Sequence, residues 1–140
     1  MSTGTATRGI RNNNPGNIRK GQPWQGLAPN QTDPAFDQFI TPQYGIRAIV
    51  KIIMSYQNRG YDSIRKVINA WAPTNENDTT SYVNNVAKAV GVDPDACVNL
   101  QSLNVWDKLV KAIIMQENGQ QPYPDSMIDE GINLAQPTLK

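Results

Sequence analysis

The stretch Trp106-Asp107-Lys108-Leu109-Val110-Lys111-Ala112-Ile113-Ile114-Met115-Gln116-Glu117-Asn118-Gly119 decides how the chain folds. Trp106, Val110 and Ile113 recur at helical spacing and form one apolar stripe, and the next step of that period lands on Glu117. Ser102 or Asn104 can cap this helix, and Gly119 with Pro122 must end it. A carboxylate thus falls on the face that the helix turns to the core. At a helix C-terminus it meets the negative end of the macrodipole, and if desolvated as well it should hold its proton tightly, as a general acid must. The competing reading is a solvated terminal-turn Glu117, or one paired with Lys108 or Lys111.

Upstream the same period recurs three times. Ile46, Ile49, Ile53 and Tyr56 predict a helix over about residues 43–58, closed by Asn58-Arg59-Gly60. Tyr61, Ile64, Val67, Ile68 and Trp71 predict a short buried helix capped by Asp62 or Ser63 and ended by Pro73. Tyr82, Val83, Val86, Ala87 and Val90 predict a third, capped within Asn77-Asp78-Thr79 and stopped by Gly91. Downstream, a weaker segment from Ser126 to about Ala135 makes a last helix. Residues 8–41 are rich in Asn, Gly, Pro and Gln and read as loop, with room for one short hairpin. The expected architecture is a mainly α domain of about five helices over residues 8–136 with a loop-rich N-terminal third, flanked by a disordered tail at 1–7 and a short tail at 137–140.

Composition narrows the function. The 140 residues and 15.5 kDa suit one domain. Thirteen Lys and Arg against twelve Asp and Glu leave a net charge of +1, so there is no field to hold a polyanion and nucleic acid is a poor partner. The surface must draw its polarity from 15 Asn and 11 Gln, which suits ligands read by hydrogen bonds, such as carbohydrate. His is absent, which removes Ser-His and Cys-His nucleophiles and His metal sites and leaves carboxylate chemistry. No P-loop, dinucleotide fingerprint or calcium loop is present, so neither metal nor cofactor is indicated. Cys97 reads as a buried small apolar residue. The N-terminus lacks the basic start and apolar run of a signal peptide, and no stretch approaches a membrane span, so export would need another route.

Further residues invite two readings each. Asn12-Asn13-Asn14-Pro15-Gly16-Asn17 can present amides to sugar hydroxyls, or spend them on its own backbone in an Asx-turn. Trp24 is a stacking platform or a plug at the core's edge. Glu76 and Asp78 are a close carboxylate pair or helix caps. Arg8, Arg11, Arg19 and Lys20 could meet an anionic polymer or form a solvated face.

Taken together, Arg11-Asn12-Asn13-Asn14-Pro15-Gly16-Asn17-Ile18-Arg19, Tyr44-Gly45-Ile46-Arg47-Ala48, Trp71-Ala72-Pro73 with Glu76-Asn77, and Glu117-Asn118-Gly119 with Pro122-Tyr123 resemble a family of small phage and prophage virion-associated proteins, over about residues 8–135. Within that family some members are structural only. The same phrases also resemble lysozyme-like lytic transglycosylases and glucosaminidases in shifted order. Ala112-Ile113-Ile114-Met115-Gln116-Glu117-Asn118-Gly119 is similar to their Ala-Ile-x-x-Glu-Ser-Gly motif but comes last instead of first. Asn14 to Arg19, Phe36 to Phe39 with Tyr44, and Trp71 to Thr74 leading to Tyr82 follow the order of the glucosaminidase branch.

The resemblance implies a circularly permuted lysozyme-like fold, reasonable because domain termini lie at the surface. It implies cleavage of peptidoglycan between N-acetylmuramic acid and N-acetylglucosamine, with Glu117 as general acid and base. A transglycosylase needs that one carboxylate, whereas a two-carboxylate hydrolase would enlist Glu76. Tyr82 and Tyr44 would line the cleft, and Asn14, Asn17 and Trp24 would shape its floor. Asn118 stands where the motif has Ser, and Asn17 where the loop has Gly, departures that touch the substrate contacts and leave Glu117 matched. The partners implied are glycan strands and other virion proteins, with the protein virion-borne or in the host cytoplasm and acting on the periplasmic wall. The rival reading is a non-enzymatic virion component that keeps the fold as a packing unit.

Overall fold

Local capping explains where the helices begin and end. In the computed structural model, which describes residues 7–74, 78–137 and 139, six helices follow in order: α1 Arg8–Arg11, α2 Pro42–Asn58, α3 Ile64–Trp71, α4 Thr79–Val90, α5 Leu103–Asn118 and α6 Asp125–Ala135. Pro42 opens α2, where its missing N–H has no cost. Ser63 accepts from Lys66 N at the start of α3, Asp78 from Ser81 N at α4, and Ser102 from Val105 N at α5. Gly91 and Gly119 end α4 and α5 in the left-handed conformation that glycine adopts without strain.

The helices bury their stripes against one another. Isoleucines 46, 49 and 53 of α2, Ile64 and Ile68 of α3, Trp106, Leu109 and Ile113 of α5, and Ile128 and Ile132 of α6 are fully buried in one core. Burying each such side chain contributes about 1.5–3 kcal/mol. Helix α6 lies along α2 with Gly131 against Ile46, where a Cβ would sit 2.5 Å from Ile46 Cγ2. Trp106 satisfies its one polar atom by donating from Nε1 to Leu100 O at 2.9 Å.

Between α5 and α6, Asp107 faces Asp129 across a partly desolvated contact, with Lys111 and Asp125 paired beside it. Burial, then the Asp129 carboxyl, pushes Asp107 up to about 7. Oδ1 of each aspartate is buried and has no hydrogen-bond partner among the described residues.

The mainly helical expectation holds, with one added helix in the front third and antiparallel pairing where the sequence left room for a short hairpin. A short helix, α1, precedes the Asn cluster, and two isolated antiparallel bridges, Arg19 to Phe36 and Leu27 to Phe39, fold residues 18–39 back on themselves. Residues 1–6 of the segment read as a tail lie outside the described residues, but Thr7 belongs to the fold, since its hydroxyl donates to Asn118 Oδ1 at 2.7 Å. Leu139, in the C-terminal segment read as a tail, packs on the core. Cys97 is exposed, not buried: on the connection from α4 to α5 it is Val98 and Leu100 that turn inward.

Candidate active site

Glu117 stands at the last turn of α5, half-buried, where the stripe of Trp106, Val110 and Ile113 emerges from the core. Neither Lys108 nor Lys111 holds it, and Lys111 pairs with Asp125. Its partners come from three other parts of the chain. Tyr82 of α4 donates its phenolic hydrogen to Oε2 at 2.9 Å, Trp71 at the end of α3 directs its indole N–H there at 3.4 Å, and Asn17 donates from Nδ2 to Oε1 at 3.1 Å.

The direction of this network follows from donor chemistry. Trp71 Nε1 also lies 2.9 Å from the Tyr82 oxygen. Indole nitrogen can only donate, so the Tyr82 oxygen accepts from Trp71 and its own hydrogen points to Glu117. Burial and the neighbouring Glu117 push the Tyr82 phenol far above its ordinary value, so it remains a donor at all working pH values.

A cleft of about 340 Å³ opens on Glu117, lined by Gly16 to Arg19, Phe36, Ile52, Tyr56, Trp71 and Ala72. That volume is within the range of small-ligand sites. Its wall is the front loop, whose amides build the loop itself. Asn14 is fully buried: both Nδ2 hydrogens go to Ile18 O and Asp37 O at 2.9 Å, and Oδ1 accepts from Ile18 N. Asn12 bonds Asp33 and Gln38, and Asn13 bonds Phe39 O. Asn13 and Asn17 take the left-handed conformation, at φ 53° and 50°, that Asn tolerates better than most side chains.

Asn118 locks this loop onto α5. Its Nδ2 donates to Pro15 O at 2.8 Å and Ile114 O at 3.0 Å, while Oδ1 accepts from Thr7. The residue that departs from the Ser of the resembled motif is therefore a buried tie between the cleft's wall and the helix bearing Glu117. Gly9 permits the approach, because a Cβ there would lie 2.6 Å from both Asn118 Oδ1 and Asn17 Oδ1.

The structure brings Asn17 and Tyr82 to Glu117, but Tyr82 is a buried donor behind the carboxylate and not one of the residues lining the cleft, and three of the expected neighbours are removed. Asn14 cannot contact a ligand, its hydrogen-bonding capacity being spent inside the loop. Tyr44 packs under Gly26 and lines a separate groove with Gln43, Glu130 and Leu134. The cleft is reached from α2 by Ile52 and Tyr56, and Tyr44 is eight residues, about 12 Å, before Ile52 along the helix. Trp24 is half-buried against the core with its indole nitrogen enclosed, the plug rather than the platform. Glu76 lies outside the described residues, and Asp78 is the cap of α4.

Sequence reasoning had no role for Trp71 as a donor, nor for Tyr56 in the cleft. A tryptophan closing a helix stripe just before Pro73 was the available signal for the first.

No family model matches the chain. Protein P5 of Pseudoalteromonas phage PM2 is 39% identical to it over 131 residues, a match that covers 90% of this chain and 80% of that protein. Identity at that level over nine-tenths of the chain makes it a member of the phage protein family to which Protein P5 belongs.

Proposed function

We propose that the protein is a phage enzyme, borne in the virion, that cleaves peptidoglycan at the β-1,4 bond between N-acetylmuramic acid and N-acetylglucosamine. The observation that carries this reading is the placement of Glu117 in the cleft with both carboxylate oxygens held by donors from Tyr82, Trp71 and Asn17. A positioned carboxyl group of this kind is what general acid and base catalysis requires.

Glu117 passes its proton to the glycosidic oxygen as the bond from the muramic C1 breaks. The resulting carboxylate then takes the proton of the muramic 6-hydroxyl as that oxygen attacks C1, closing an anhydro ring and restoring the acid. Oε1, which accepts a single bond where Oε2 accepts two, has the spare capacity for that proton. Glu117 is the one carboxylate among the described residues lining the cleft, and the one-carboxylate route needs no other, whereas a hydrolase would enlist a second acid such as Glu76, which lies outside the described residues. Tyr82, Trp71 and Asn17 are positioning residues, and the Tyr56 ring offers an apolar face to the sugar.

One observation favours a non-enzymatic virion component instead: through Glu117 the front loop, α3, α4 and α5 are tied together, a bond network that a packing unit would also use. The two readings separate on labelled Gram-negative sacculi. Release of soluble fragments by the wild type and none by a folded Glu117→Gln variant supports the enzyme, and no release by either supports the packing unit.

A further inference from the structure

Helix α2 ends in a turn that holds two tyrosines together. Gly60 takes the left-handed conformation at φ 89°, its N–H donates to Gln57 O at 2.9 Å, and the Tyr61 N–H donates back to Tyr56 O at 3.1 Å. In a helix end of this kind the residue after the glycine packs against the last turn. The two rings accordingly lie 6.0 Å apart between centres, inclined at 41°. Tyr56 lines the Glu117 cleft, whereas Tyr61 lines a second concavity of about 550 Å³, together with Arg59, Lys66, Asn69 and Ala70. The Tyr56 hydroxyl donates to Ala70 O at 3.3 Å, and the next two residues, Trp71 and Ala72, line the cleft. The two concavities therefore meet at the Tyr56 side chain and the end of α3.

We propose that the second concavity extends the glycan site, so that a strand leaving the Glu117 cleft passes over Tyr56 and lies along Tyr61 toward Asn69 and Lys66. The inference rests on the reading of the cleft as a glycan site. At about 340 Å³ the cleft is at the small end of the range for drug-sized ligands, and a polymer held there at one bond must run on across the surface. Tilted tyrosine rings suit successive sugars, since each sugar has an apolar face to lay on an aromatic one and hydroxyls at its rim. Hydrogen-bonding groups stand beside them. Asn69 donates from Nδ2 to Arg65 O at 2.8 Å and has Oδ1 as an acceptor, and Lys66, 3.1 Å from Asp62, has more N–H donors than that one contact uses. The turn at Gly60 sets the platform before a ligand arrives, which lowers the ordering cost of binding. A contact that only closed the helix end would be served by any apolar residue at position 61, so the flat ring is the feature to test.

The test measures binding and its dependence on strand length. Glu117→Gln protein is titrated with a disaccharide and an octasaccharide of peptide-free peptidoglycan glycan, and the octasaccharide should bind the more tightly. Adding Tyr61→Leu, which keeps an apolar contact for Tyr56, should weaken octasaccharide binding about tenfold, equivalent to about 1.4 kcal/mol, and leave the disaccharide as it was. Tyr61→Phe keeps the ring and should retain most of the affinity, with all three proteins verified as folded. Equal binding of the two lengths, an octasaccharide affinity that Tyr61→Leu does not change, an equal loss on both lengths, or no binding of either overturns the proposal. Binding that depends on length and on Tyr61, without cleavage of sacculi by the wild type, would overturn the enzymatic reading alone. Cleavage by the wild type with no such dependence would overturn the extended site alone.

Discussion

Tyr82 and Glu117 are 35 residues apart in the chain, and the phenol of one donates to Oε2 of the other at 2.9 Å. Because Trp71 can only donate, the hydroxyl between them has one orientation, and the three side chains form a directed relay into the carboxylate. The position of Glu117 therefore depends on α3 and α4 as much as on its own helix.

Tyr82→Phe removes the donor and leaves the Trp71 indole with the weaker contact alone. A hydrogen bond to a charged group contributes about 1.5–3 kcal/mol, so kcat on peptidoglycan should fall roughly 10- to 100-fold. KM should change far less, since the ring remains. A loss confined to KM would place Tyr82 in substrate binding.

Gly9→Ala tests the lock between the front loop and α5. The added methyl would meet Asn118 Oδ1 and Asn17 Oδ1 at 2.6 Å and backbone Asn14 O at 2.9 Å. Overpacking of this kind costs about 1–3 kcal/mol. Chemical denaturation should show that loss, together with lower activity because Asn17 is displaced from Glu117.

Asn14→Ala should lower stability by about 1–3 kcal/mol, the cost of buried backbone groups left unpaired at Ile18 and Asp37. Binding of glycan by the protein that remains folded should be unaltered. A variant of native stability that has lost glycan affinity would return Asn14 to the list of ligand contacts.

Asp107 links stability to pH. Its carboxyl titrates at about 7 when folded, raised by burial and by Asp129, against an ordinary value near 4 in the unfolded chain. Between those values the folded state holds the extra proton, so this group's contribution is full below about pH 4 and is lost as pH rises toward 7. Asp129 and Asp125 oppose its ionisation and Lys111 favours it. Melting temperatures measured from pH 4 to 8 should show a decline over that window that Asp107→Asn flattens. An identical slope in the variant would contradict the assignment.

Much of the fold was legible because helix signals are local. The apolar period and the caps Ser63, Asp78 and Ser102 lie within a few residues of what they determine, and Glu117 was found as the next step of such a period. The amides of the front loop were not legible in that way. Whether Asn14 faces a ligand or the loop depends on Asp37 O, 23 residues away, and nothing in the spacing of the cluster reports that contact. Tyr44 shows the same limit. Its helix was read correctly, but which end of α2 reaches the cleft is set by how α2 lies on α6. Trp71 as donor and Asn118 as tie were hidden because both act across elements far apart in sequence.

The most direct test of the account is mass spectrometry of what purified Gram-negative sacculi release when treated with the wild type and with Glu117→Gln, both verified as folded. The account predicts 1,6-anhydro-muropeptides from the wild type and none from the variant. Products with reducing ends would contradict the one-carboxylate route, and equal inactivity of the two proteins would contradict the assignment of Glu117 as a catalytic residue.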